Sequence, residues 1–74
     1  MTQFDLSTLN RTEADELYSL VCKYQRSDKA TYDERGWCAG ILDKLFSIIA
    51  SGTTTFPVCD ADYTTIIHKA YALK

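Results

Sequence analysis

Apolar positions recur at three- and four-residue steps in three stretches of the chain, and each stretch opens behind a residue suited to cap a helix. In the first, Ala14, Leu17, Tyr18, Val21 and Tyr24 share one face. Asn10 with Glu13 has the spacing of a capping box, and Leu9 with Ala14 that of a hydrophobic staple. Glu13, Asp15 and Glu16 at its start and Lys23 and Arg26 at its end complement the helix dipole. The pattern predicts a helix over 11–26. A second capping box, Thr31 with Glu34, opens a middle helix over 31–51, which Gly52 closes as a left-handed stop residue. Asp60 caps a third helix over 61–72, with Tyr63, Ile66, Ile67, Ala70 and Tyr71 on its buried face.

The middle stretch is the most apolar. On a wheel of ~100° per residue, Trp37, Cys38, Ala39, Ile41, Leu42, Leu45, Phe46, Ile48 and Ile49 fill an arc of well over half the circumference, where a surface helix needs a stripe only ~100° wide. Such a helix has to be covered from two sides. The short polar link Ser27-Asp28-Lys29-Ala30 makes the first two helices an antiparallel hairpin, about 24 and 30 Å long at ~1.5 Å per residue, with the third, about 18 Å, packed across it. Between them lies an extended loop, 52–59, in which Phe56 precedes Pro57 and is disfavoured from helix. Pairing of this loop with 3–6 as a short strand is left open, since a two-stranded ribbon alone is marginal. The expected fold is therefore all-α, one three-helix domain over 1–74, with Leu17, Val21, Ile41, Leu45, Ile48 and Ile67 in its core.

A chain of 8.4 kDa buries only roughly 60% of the surface its unfolded form exposes, so its stability margin is thin. A disulfide framework does not supply the missing support, because Cys22, Cys38 and Cys59 are odd in number and widely spaced. The opening Thr2-Gln3-Phe4-Asp5 shows neither the basic nor the apolar region of a secretory leader, and the expectation is a cytoplasmic protein with free thiols. The largely apolar stretch 45–50, broken by Ser47, is far short of the ~20 residues a bilayer span needs, so no membrane insertion is expected. A net charge of −2 with interspersed signs gives no long-range attraction to nucleic acid.

Little in the chain points to a reaction. Cys22, Cys38, Cys59 and His68 are zinc-ligand types, but no close cysteine pair exists and the middle helix separates Cys38 from Cys59, so neither a metal nor any other cofactor is expected. Cys22 and Cys38 are equidistant from Ala30 and should meet across the hairpin. His68 near the end of the third helix and Asp60 and Asp62 at its start sit where the dipole favours them without any catalytic role. No phosphate-binding glycine loop or serine-hydrolase elbow is present, and a non-enzymatic protein is expected.

Two sets of residues remain as candidate binding sites. Lys23, Arg26, Lys29 and Arg35 gather about the inter-helix turn and could hold an anion, a nucleotide or a phosphate backbone, although Asp28, Asp33 and Glu34 share the region. On the middle helix Gly36, Gly40 and Ser47 form a line of small residues bordered by Tyr32, Ala39 and Phe46 at the far margin of the apolar arc. Interior glycines each cost up to about 1 kcal/mol against alanine, so either another backbone approaches closely there or Gly36 marks a late helix start or a local irregularity beside Trp37. The six form a candidate interface. Five tyrosines and one tryptophan add residue types that interfaces use as anchors. The favoured expectation is an interaction module that regulates or inhibits a partner protein, of the accessory kind that phages and mobile elements carry, and that self-associates as a homodimer. The alternative is a binder of a small ligand, nucleotide or nucleic acid through the basic turn.

Overall fold

The computed structural model describes residues 3–74; of the lead-in to the first helix, 1–9, residues 1 and 2 lie outside the described residues. Among the described residues one short 3-10 helix, Leu6–Thr8, precedes three α-helices, α1 (Arg11–Arg26), α2 (Tyr32–Ser51) and α3 (Ala61–Tyr71). Their boundaries are set by the capping residues that the sequence announces. The Glu13 N–H donates to Asn10 Oδ1 (2.8 Å) and the Asn10 N–H to Glu13 Oε1 (3.0 Å). The same reciprocal pair joins Thr31 and Glu34, at 2.9 and 3.1 Å, so Thr31 caps α2 rather than belonging to it. Asp60 accepts from the Tyr63 N–H at 2.9 Å. Gly52 ends α2 at φ 83, a left-handed conformation open to glycine without a Cβ clash. The α3 helix stops at Tyr71, one residue before the expected end, with Ala72 as its cap.

The buried residues of α2 are Glu34, Cys38, Ile41, Leu45 and Ile48, alternating steps of four and three along one seam. Against it pack Ala14, Leu17, Val21 and Tyr24 of α1, and Thr64, Ile66, Ile67 and Ala70 of α3 complete the core. All six residues expected in the core are there, none more than 2% exposed. Tyr63 and Tyr71, expected on the buried face of α3, are only partly buried, and Thr64 takes an inward place because its hydroxyl is hydrogen-bonded there. The hairpin register follows from Gln25, whose Nε2 donates to the Arg35 carbonyl at 3.0 Å. In that register Cys22 and Cys38 fall at the same level, Cys38 fully buried and Cys22 partly so. Burial pushes the Cys38 thiol up, and the neighbouring Glu34 and Cys22 add to the effect.

A further cover comes from the segment before α1. The Leu6 N–H donates to the Pro57 carbonyl (2.9 Å) and the Cys59 N–H to the Phe4 carbonyl (2.8 Å), flanking a single antiparallel bridge between Asp5 and Val58. Pairing of the loop with the lead-in thus occurs, as one bridge and not as a strand. Pro57 has no N–H to extend a ladder, and Phe56 turns the chain with φ 56, an uncommon conformation for a bulky residue. Lys44 Nζ holds that turn by donating to the Phe56 carbonyl at 2.8 Å. The Phe4 N–H donates to Thr64 Oγ1 at 3.0 Å, Thr64 Oγ1 donates to the Cys59 carbonyl at 3.4 Å, and the Phe4 ring lies 6.2 Å from that of Tyr71. Leu6 and Cys59 are consequently in the core.

With this cover the accessible surface is 4687 Å², close to the ~4,600 Å² that size scaling gives for a folded monomer of this mass. The arc of α2 is therefore better covered from within than its composition suggests. Gly40 illustrates why. A Cβ built there would lie 2.0 Å from the Tyr63 hydroxyl oxygen, so the close approach that this glycine permits is made by an aromatic ring of α3. At Gly36 nothing lies within 4 Å of such a Cβ. Gly36→Ala is expected to stabilise the protein by about 0.5–1 kcal/mol through helix propensity, whereas Gly40→Ala should lower the melting temperature by displacing Tyr63. Thermal unfolding followed by circular dichroism checks both, and a stabilised Gly40→Ala variant would show that Tyr63 does not need the space.

Candidate functional site

The six candidate interface residues do not form one surface. Tyr32 is 92% exposed and Phe46 53% exposed, and Gly36, Ala39 and Ser47 are exposed as well. Gly40 is half-buried beneath Tyr63, and its use is internal to the fold. The exposed residues follow directly on the margin of the buried arc. At ~100° per residue, Tyr32, Ala39 and Phe46 project about 130° round α2 from the Cys38–Ile41–Leu45 seam, just beyond the partly buried Leu42. They follow one another at seven-residue steps, a second stripe on the outside of the molecule. Arg35 and Asp43 flank the stripe, both exposed, and neither makes an ion pair among the described residues. Beside it runs an open groove of about 420 Å³ between α1 and α2, lined among others by Tyr18, Gln25, Leu42 and Phe46. The Ser47 hydroxyl is turned back to the Asp43 carbonyl at 3.3 Å, on the other edge of α2.

Of the four basic residues at the inter-helix turn, all are exposed. Lys29 lines a pocket of about 350 Å³ with Tyr24, Lys69, Ala72 and Leu73, while Lys23, Arg26 and Arg35 do not line it. The cation that joins Lys29 there comes from α3, a residue that sequence spacing did not single out. Lys69 Nζ donates to Glu34 Oε2 at 2.7 Å, and the Tyr24 hydroxyl donates to Glu34 Oε1 at 3.1 Å. Lys69 and the Thr31 N–H hold the Glu34 carboxyl down to about 2, against the desolvation that would raise it, with the Tyr24 hydroxyl adding to the stabilisation of its charge. Glu34 is the one acidic residue in the α2 seam and so locks the turn end of all three helices. Its signal in the sequence was its place on the line of Ile41 and Ile48, seven and fourteen residues on. Capping alone did not require it to be buried.

His68 is exposed in the last turn of α3, and Asp60 and Asp62 serve its first turn. Among the described residues no three His, Cys, Asp or Glu side chains gather in a way that could hold a metal ion, and no helix is long and apolar enough to cross a membrane. Two exposed apolar residues went unread in the sequence. Phe56 (78% exposed) and Val58 (51%) stand out from the loop because the left-handed turn and the bridge to Asp5 direct them away from the core. Compared with known proteins, the chain matches no family model, no curated protein and no solved structure.

Proposed function

We propose that this chain is a small non-enzymatic interaction module that docks the outward face of α2 on a partner protein and thereby regulates or inhibits it. The observation that supports this reading is the exposed stripe of Tyr32, Ala39 and Phe46, turned away from the core seam of a fold whose area is already that of a closed monomer. Two large aromatic side chains left in water on one helix face are the residue type that interfaces use as anchors, and covering each removes apolar surface worth about 25 cal/mol per Å². Three unpaired thiols suit a reducing compartment such as the cytoplasm.

The test is affinity capture by the wild type and by a Tyr32→Ala/Phe46→Asp variant whose folding is verified by circular dichroism. A partner retained by the first and lost by the second is the expected result; equal retention would remove this face from consideration. A second reading is favoured by Lys29, exposed and without an ion pair among the described residues, which lines one pocket with Tyr24 and Leu73 and could hold a small amphipathic anion beside Lys69, itself engaged by Glu34. Salt separates the two, since an interaction carried by phosphate or carboxylate weakens steeply as ionic strength rises and apolar docking does not.

A further inference from the structure

The outward stripe of α2 is complementary to itself when read in both directions from Ala39. Seven residues away on either side stand Tyr32 and Phe46, both aromatic and both exposed. Four residues away stand Arg35 and Asp43, opposite in charge. Three residues away stand Gly36, with open space above it, and Leu42, partly buried. Resting on the docking role proposed for this face, we infer that its occupant is a second copy of this chain, bound so that the two α2 helices run antiparallel about a two-fold axis at Ala39.

An antiparallel pair centred on one residue brings positions at equal distances before and after it to the same level. Each Tyr32 then stands level with the partner subunit's Phe46, and each Arg35 level with the partner's Asp43, which it reaches across the narrow seam at Ala39. Because the two-fold axis sets each flank of the stripe against its own copy, Leu42 packs on the stem of the partner's Arg35. Ala39 on the axis allows the helices to approach to the short end of the ~8–10 Å range, and the seven-residue recurrence of Tyr32, Ala39 and Phe46 is the spacing that keeps a seam in register between paired helices. The groove between α1 and α2, with Tyr18 and Leu42 in its lining, lies beside Phe46, where the partner subunit's Tyr32 arrives. The charges argue most strongly for a second copy over an unrelated protein. An unpaired Asp43 and Arg35 beside an apolar stripe oppose burial against an apolar partner, but both are neutralised, twice over, by the two-fold pairing. The stripe spans about 21 Å between Tyr32 and Phe46, short for a protein interface, so the association belongs to the weak and reversible class.

Sedimentation equilibrium up to millimolar protein tests the assignment. The wild type should form a dimer, and Arg35→Asp and Asp43→Arg should each weaken it about tenfold or more, because each places like charges together at two points. Mixing the two single variants should restore association, since the aspartate introduced in one chain then faces the arginine introduced in the other, and the unaltered Arg35 and Asp43 still face each other. A wild type that stays monomeric, or two folded variants that do not associate on mixing, would overturn the assignment. If the wild type is monomeric but capture of another protein still depends on Tyr32 and Phe46, the second copy is excluded and the docking reading stands. If the charge-swapped mixture associates while capture of other proteins ignores those aromatics, the dimer stands and a role for this face toward other proteins does not.

Discussion

Leu45→Ala is expected to lower the stability of this protein by about 2–5 kcal/mol. Leu45 is fully buried and lies on the α2 seam between Ile41 and Ile48, themselves 0% and 2% exposed. Removing three carbons there loses their transfer free energy and leaves a space that the surrounding helices can only partly close. A chain of this length has a total stability of roughly 4–11 kcal/mol by the usual per-residue range. The loss is therefore a large share of the whole. Phe46→Ala, one residue further on but half-exposed, should change stability by no more than about 0.5 kcal/mol. Urea unfolding followed by circular dichroism compares the two, and a midpoint for Phe46→Ala equal to or below that of Leu45→Ala would overturn the assignment of the buried and outward faces of α2.

The second large effect is expected from Glu34 and depends on pH. Its carboxyl is held at about 2 in the folded protein, against an ordinary value of 4.5. A depressed folded value means that the ionised group stabilises the fold fully above the ordinary value and that this contribution is lost as pH falls from about 4.5 towards 2. The difference corresponds to at most about 3 kcal/mol, reduced in practice because the Lys69 side chain is 48% exposed and solvent screens its share. Glu34→Gln keeps the shape but not the charge, so it should cost about 2 kcal/mol at neutral pH and little or nothing near pH 2. Unfolding curves of both proteins at stepped pH would show the two stabilities converging in acid. Parallel curves from pH 7 to pH 2.5 would mean that the pairing of Glu34 with Lys69 and Tyr24 contributes no net stability.

The helices were legible in the sequence because their signals are local. Asn10 with Glu13, Thr31 with Glu34, Asp60, and Gly52 each act within one turn of the residues they terminate, and the structure places the helix ends there. What escaped is what depends on contacts between distant parts of the chain. Glu34 reaches Lys69 thirty-five positions away, and nothing near Glu34 announces it. Gly40 was legible as a place of close approach, but the ring that fills it, Tyr63, belongs to another helix whose crossing only the fold decides. For the candidate surface, the sequence shows Tyr32, Ala39 and Phe46 as apolar members of a broad arc. Which of those members face outward depended on where α3 and the lead-in lie, and Leu6 proved to be part of the covering.

The attachment of that lead-in also bears on the order of assembly. The hairpin joins α1 to α2 through a five-residue turn and can close cheaply, whereas the bond from Phe4 to Thr64 spans sixty positions, and the bridge from Asp5 to Val58 a similar stretch. Closing a longer loop costs more chain entropy, even though the cost rises only with the logarithm of its length, and contacts distant in sequence form late unless others have already brought them near. Docking of α3 on the hairpin supplies that proximity. Residues 4–6 are therefore expected to fasten like a latch after the helices have gathered, so that Leu6→Ala should speed unfolding more than it slows folding when both rates are measured by stopped flow.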